Sequence, residues 1–254
     1  MLEESAHEQQ IFEDLGKINY LSLESLEGAV SDEVTNLAYM KAIKNNPHLF
    51  HNRVVMHLTS GCNCIYSLFA AQAGAAKVYC VVNGHGEVEI KNIHMMKVLI
   101  EENGMSDQIE VLSLRYFNAQ VDIIIGEPMG YNFIYDGMLD RMIEARDLYL
   151  KRGGIIMPDK LKYKCAFIRD DYFLDKKVDF WDEVYGIPMK SMKKWISQEP
   201  VVRVVDPTLI ISDITKFVEF NLDTTTYEEM DNVRKAFSIY THLDHKTNGI
   251  SLWF

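Results

Sequence analysis

The chain has 254 residues, 48% hydrophobic and 25% charged, with only 6 Pro and 14 Gly, the make-up of a globular protein of one large or two modest domains. Its net charge of −11 argues against a nucleic-acid binder, which carries a basic stripe. An acidic surface serves solubility or attracts basic, arginine-rich peptides.

Four cysteines (Cys62, Cys64, Cys80, Cys165) are too few for a disulfide framework and point to a reducing compartment. Cys62-Asn-Cys64 lacks the spacer and second pair of a zinc site, so no metal is expected. The N-terminus MLEESAHEQQ is polar and acidic, unlike a secretory leader, and no apolar run approaches membrane-spanning length. A soluble, cytoplasmic protein is the expectation.

In chain order, the first ten residues read as a disordered lead. Ser31-Asp32-Glu33 then opens a helix, with the serine as cap and Val34, Leu37 and Ala38 as an apolar face, until Pro47 stops it. From residue 53 the pattern alternates. Strands are expected at Arg53–Leu58, Lys77–Val82, Gln108–Leu114, Val121–Ile125 and Gly154–Met157. Helices fall between them: one ending at Gly74, one around Val88–Asn103 closed by Gly104, and Met138–Leu150 closed by Gly153-Gly154. Strand and helix in this rhythm mean βαβ units and a parallel sheet. In the first of these helices Ile65, Leu68, Phe69 and Ala73 share the face expected to pack on the sheet.

After Pro158 the character changes. Helical periodicity persists only near Phe173–Lys194, while Leu161–Ile168, Pro200–Val205 and Lys216–Leu222 read as strands. The division expected is a partly helical N-terminal segment (1–30), a Rossmann-like domain (31–158) and a mainly β domain (159–254). The last run, Ile250–Phe254, is strand-like, which reads as an incomplete domain.

Two stretches carry the chemistry. The first is HLTSGCNCIYSLFAAQAG (57–74), a strand-to-helix turn where α/β proteins cradle a nucleotide-like cofactor. Such a turn uses glycines, which let backbone approach the ligand, and an acid about 20 residues on to hold ribose hydroxyls. Here Ser60, Cys62 and Cys64 stand in the glycine slots, and the next strand ends at Val82. Each lost hydroxyl partner costs about 1–3 kcal/mol. With Cβ clashes added, a loss of about 4 kcal/mol weakens binding roughly a thousandfold. The second stretch is GEPMGYNFIYDGM (126–138), at the carboxyl end of a strand. Glu127 and Asp136 flank an aromatic hairpin and can grip a guanidinium together. Alternatively, Glu127 solvates a loop and Asp136 caps the following helix.

These residues resemble the protein arginine methyltransferase family. GEPMGYNFIYDGMLDRMIEARDLYLKRGGIIMPD (126–159) is similar to its double-acid loop and the helix after it; DEVTNLAYMKAIKNNPHLF, SLFAAQAGAAKVY and FWDEVYGIPMKSMKKWISQEPVVRVVDP extend the likeness over nearly the whole chain. The resemblance implies an α/β, Rossmann-like methyltransferase domain with N-terminal helices, then a β-barrel-like domain carrying a helical dimerisation arm at about 168–195. It also implies that much of the functional pattern is altered. The acid of the cofactor turn falls on Leu58, its glycines on Ser60, Cys62 and Cys64, the ribose acid on Val82, and the cofactor-carboxylate arginine on Thr35. Of an N-terminal aromatic triad at Gly16, Lys17 and Tyr20, one member remains. Glu127 matches the first acid of the loop; the second is shortened to Asp136. The family's Thr-His-Trp loop is not matched by Tyr240-Thr-His-Leu243, so His242 and His245 are expected as strand or turn residues.

The arm keeps interface-type side chains, Trp181, Tyr185, Met189, Met192 and Trp195. The reading that follows is a catalytically inactive, prozyme-like regulatory subunit, of the kind that accompanies the trypanosomatid type I enzyme. On that reading Glu127 and Asp136 are vestigial and the chain itself binds no cofactor. It pairs with a catalytic arginine methyltransferase paralogue, as a heterodimer or a dimer of dimers, and the paralogue carries S-adenosylmethionine. Arginine-rich substrates are met only through the complex, without nucleic acid or membrane. The alternative is a diverged but active S-adenosylmethionine-dependent methyltransferase using Glu127 and Asp136. A non-enzymatic scaffold for basic peptides rests on acidity alone.

Overall fold

In the computed structural model the described residues are 20–84, 86–129, 138–242, 244 and 246–254, those at 20–25 and 87 by backbone only. The expected disordered lead, Gly16, Lys17, Asp136 and His245 therefore lie outside the described residues. The chain divides into two compact units, residues 1–128 with 141–158 and residues 129–140 with 159–254.

The first unit holds a five-stranded parallel sheet: β1 (Val54–Thr59), β2 (Lys77–Val82), β3 (Ile109–Ser113), β4 (Val121–Gly126) and β5 (Leu150–Met157). The spatial order is β3-β2-β1-β4-β5. Strand order thus reverses between β1 and β4, the place where open α/β sheets put their ligand crevice, outside the strands' carboxyl ends. The helices are α1 (Tyr20–Ser31), α2 (Glu33–Lys44), α3 (Ile65–Gln72), α4 (Gly86–Glu102) and α5 (Met138–Tyr149), the last beginning at the division between the units. Residues 55–59 are all buried, since a parallel strand at a sheet's centre is covered on both faces.

Several expectations change. Asp32, not Ser31, caps α2: its carboxylate accepts the Thr35 N–H at 3.1 Å, and Ser31 closes α1. Val34, Leu37 and Ala38 are exposed; the inward face carries Asn36, Tyr39 and Ile43. Asn36 takes that place because its amide donates to the carbonyls of Ala29, Val30 and Asp32 and ties the two helices together. On α3 the fully covered residues are Tyr66, Ser67, Ala70 and Ala71, with Ile65, Leu68 and Phe69 only part-covered. Small residues let that helix lie close to the sheet.

Gly153 and Gly154 do not close a helix; they lie inside β5, where Gly153 has φ +77. A Cβ on Gly154 would meet the Asp122 carbonyl at 2.9 Å and the Leu150 side chain at 2.6 Å. We expect Gly154→Val to lower the unfolding free energy by about 1–3 kcal/mol through overpacking, as read by urea denaturation. An unchanged midpoint would show that β4 and β5 separate more easily than this contact implies.

The second unit holds an antiparallel sheet of β6 (Lys160–Ile168), β7 (Thr215–Asn221) and β8 (Gly249–Trp253), in the order β7-β6-β8. Leu161, Tyr163 and Cys165 alternate inward on β6, and Tyr163 packs between Phe217 and Phe220. No strand forms at 200–205: Val201, Val202 and Val204 are exposed. The arm is a run of short helical turns rather than one helix, because Tyr185 and Gly186 both take positive φ and Pro188 follows. Lys193 bridges Asp179 and Asp182 at 2.8 Å each and so pins its last turn, Met192–Ile196, to its middle. Tyr185 and Trp195 are exposed, whereas Trp181, Met189 and Met192 are half-buried. His242 lies in a bend beside Asp213, 2.6 Å away.

Candidate active site

The turn after β1 and the segment after β4 stand side by side, because β1 and β4 are paired with Leu58 opposite Gly126. In the turn, the Gly61 N–H donates to Thr59 Oγ1 and the Ile65 N–H to Asn63 Oδ1, which leads into α3 without a capping side chain on Cys64. The Asn83 N–H donates to the Thr59 carbonyl at 2.7 Å, tying the turn to the end of β2.

The glycine slots behave differently from expectation. Cys62 and Cys64 are 4% and 3% exposed, their side chains joining the core under the sheet. Among the described residues no turn position takes positive φ, and a Cβ on Gly61 would meet nothing within 4 Å. The turn is therefore built without left-handed backbone, and the Cys62 and Cys64 side chains are kept off its outer face. Burial pushes the Cys64 thiol up to about 11.

Two positions offer an adenosyl cofactor nothing. Val82 is fully buried and its side chain has no hydrogen-bonding atom. Thr35 spends its hydroxyl on Asp32, at 2.6 Å, and supplies no cation. Ser60 is exposed and Leu58 is buried in the strand.

Glu127 is the chemically distinctive group. It follows Gly126 at the end of β4, and the Tyr66 hydroxyl donates to its Oε1. Tyr66 stacks on Tyr39 at 4.3 Å between ring centroids, and the Tyr39 hydroxyl donates to the Gly126 carbonyl at 2.6 Å. Two stacked phenols thus hold both the carboxylate and the backbone beside it. Burial raises the Glu127 carboxyl above the usual carboxylate range; the Tyr66 hydrogen bond pulls it down, and Asp32 pushes it up. Burial, with the Glu127 charge added, raises both phenols, so they stay protonated donors.

Sequence reading did not single out Tyr66, Tyr39 or the buried carboxylate of Glu89. Tyr66 is 61 residues from Glu127, and only the pairing of β1 with β4 brings them together. Glu89 had a weak signal, an acid in the first turn of the helix after β2. It is 5% exposed, and Arg115 grips its Oε2 at 2.6 Å.

A parallel sheet of this order, with its candidate site at the carboxyl ends of β1 and β4, defines the doubly wound, Rossmann-like class, here followed by an antiparallel unit. The arginine methyltransferase oligomerization subdomain matches residues 163–254. Protein arginine N-methyltransferase 1 of Schizosaccharomyces pombe is 35% identical over 90% of this chain and 66% of its own length. The protein of the same name from Caenorhabditis elegans is 32% identical over 89% of this chain and 70% of its own. Among solved structures, the Trypanosoma brucei PRMT1 enzyme-prozyme heterotetrameric complex with AdoHcy matches with TM-score 0.70 and 28% identity, covering 81% of this chain and 65% of that one. The chain belongs to the protein arginine methyltransferase family, and spans between 47% and 70% of the length of the curated relatives it matches.

This corrects the functional expectation. Relatives at 34–36% identity across 80–90% of the chain are named as protein arginine N-methyltransferase 1, which overturns the inactive, prozyme-like regulatory subunit. The geometry is consistent with this at two of the three glycine slots: Cys62 and Cys64 are buried instead of facing a ligand, while Ser60 is exposed. Among the described residues no helix is long and apolar enough to cross a membrane, and no group of three or more His, Cys, Asp and Glu is arranged to hold a metal.

Proposed function

We propose that this chain is a diverged, active S-adenosylmethionine-dependent protein arginine methyltransferase. The observation that carries the reading is Glu127, a carboxylate at the carboxyl end of β4, oriented by Tyr66 and packed where desolvation strengthens its grip on a cation. The residues fit an adenosyl cofactor over the Thr59–Cys64 turn: its outer face is open at Gly61, and Glu89 nearby keeps a buried carboxylate oxygen without a partner. When bound, the cofactor supplies an electrophilic methyl group.

The chain's own part is positioning. Glu127 accepts hydrogen bonds from the substrate guanidinium, with Asp136 as second acid by its place in the loop, and fixes which nitrogen faces the methyl donor. Tyr66 occupies one side of Oε1 and leaves Oε2 to the guanidinium. The arm's exposed Tyr185 and Trp195 suit a contact with a second methyltransferase chain, the same or a paralogue, and the four free thiols suit the cytoplasm.

The direct test is transfer of labelled methyl from S-adenosylmethionine to an arginine- and glycine-rich peptide by the full-length protein alone. Absence of transfer overturns the proposal. Tyr66→Phe gives a finer check. Losing the hydroxyl removes the bond that lowers the Glu127 carboxyl, so its protonation moves to higher pH. The acid limb of the kcat/KM profile is expected to shift upward with it. An unmoved limb would mean that Glu127 does not titrate there.

A further inference from the structure

Val82 leaves the ribose side of the proposed cofactor site without its usual acid, yet an acid stands close by. Val82 lies directly opposite Ser113 in the β2–β3 pair. Ser113 Oγ accepts from Arg115 Nε at 3.2 Å, and Arg115 Nη2 in turn holds Glu89 Oε2 at 2.6 Å. The same Nη2 donates to the Gly84 carbonyl at 3.4 Å, and a Cβ on Gly84 would meet the Glu89 Cβ at 3.2 Å. This chain of contacts fixes the Glu89 carboxylate at the carboxyl ends of β2 and β3. The turn after β1 is near: Lys91, two residues on in α4, acts electrostatically on the Cys62 thiol.

Glu89 and Asn92 are each 5% exposed, and Glu89 Oε1 and Asn92 Oδ1 are buried without a hydrogen-bond partner among the described residues. They lie three residues apart, on one face of α4. Buried acceptors are nearly always satisfied, so two adjacent orphans call for donors that the described residues do not supply. A vicinal diol supplies two O–H donors, the chemistry by which an acid at this edge of a Rossmann-like sheet takes a ribose. We propose that Glu89, assisted by Asn92, is the ribose-hydroxyl acceptor of this chain and replaces the acid lost at Val82. Arg115 is a positioning residue that holds the carboxylate in its orientation. The assignment rests on the methyltransferase reading of the same site.

The test is calorimetric titration of the full-length protein with S-adenosylhomocysteine and with its 2′-deoxy counterpart. For the wild type, removal of the hydroxyl is expected to weaken binding about tenfold or more. Glu89→Gln is expected to weaken the parent ligand by a similar factor and to leave little further difference between the two. If thermal unfolding shows Glu89→Gln misfolded, Glu89→Asp keeps the charge for Arg115, shortens the reach and is expected to show the same loss. Parent binding undiminished in the folded variants, or a wild type indifferent to the hydroxyl, overturns the assignment. Hydroxyl-sensitive binding without methyl transfer overturns the enzyme reading alone, transfer with binding insensitive to Glu89 overturns the ribose assignment alone, and no binding overturns both.

Discussion

Glu127→Gln is expected to lower kcat/KM for peptide methylation by about 100- to 1000-fold and to leave S-adenosylhomocysteine binding within about twofold. Gln keeps the shape and one acceptor but loses the charge. A guanidinium brought into the site would then be desolvated without a counter-ion, a loss of about 3–4 kcal/mol. The Tyr66 hydroxyl still finds the amide oxygen, so the fold is expected to stay intact. Two measurements check this, steady-state methylation of a peptide and calorimetry with S-adenosylhomocysteine. Equal loss in both would mean that Glu127 holds the fold rather than the substrate. Full activity would remove the carboxylate from the mechanism.

Stability is expected to fall on the acid side because of one histidine in the sheet. His57 sits at the centre of β1, 2% exposed, its Nδ1 2.9 Å from Ser67 Oγ and 3.8 Å from Cys80 Sγ. Burial pushes its pKa down from 6.5 to about 3. The folded protein keeps it neutral, while the unfolded chain protonates it below pH 6.5. The unfolded state therefore binds more protons in that window. His57's contribution is fully present above pH 6.5 and is lost as pH falls toward 3. Between pH 7 and 4.5 the loss amounts to about 2–3 kcal/mol. Urea denaturation across that range, compared with His57→Gln, isolates the effect from that of the paired carboxylates such as Asp122, held low by Lys151 and the Val54 N–H. Parallel curves for the two proteins would show that His57 is not the group responsible.

The same cluster shows why polar residues in buried strands mislead. His57 and Thr59 read as interruptions of an apolar run, yet the strand accepts them because each has a bond waiting. Ser67 meets His57, and Thr59 receives the Gly61 N–H. Such partners lie on other elements or across a turn, where local sequence gives no sign of them.

What the sequence determined by itself was the rhythm of the fold. Short apolar runs between amphipathic stretches require a sheet covered on both faces, and β1 to β4 fall within a residue or so of their expected places. The family likeness was legible too, because GEPMGYNFIYDGM and the helix after it keep their order. Hydrophobic period is a local property, and chain order is enough to carry it. The direction of side chains was not legible. Val34, Leu37 and Ala38 lie on the outside of α2, since Asn36 had bonds to make on the inside. Cys62 and Cys64 turn into the core, so their presence in the glycine slots does not by itself close the turn. Only the pairing of β1 with β4 brought Tyr66 to Glu127, and only that of β2 with β3 brought Arg115 to Glu89. A site assembled from strand ends far apart in sequence depends on strand order, and that is set by packing of the whole sheet.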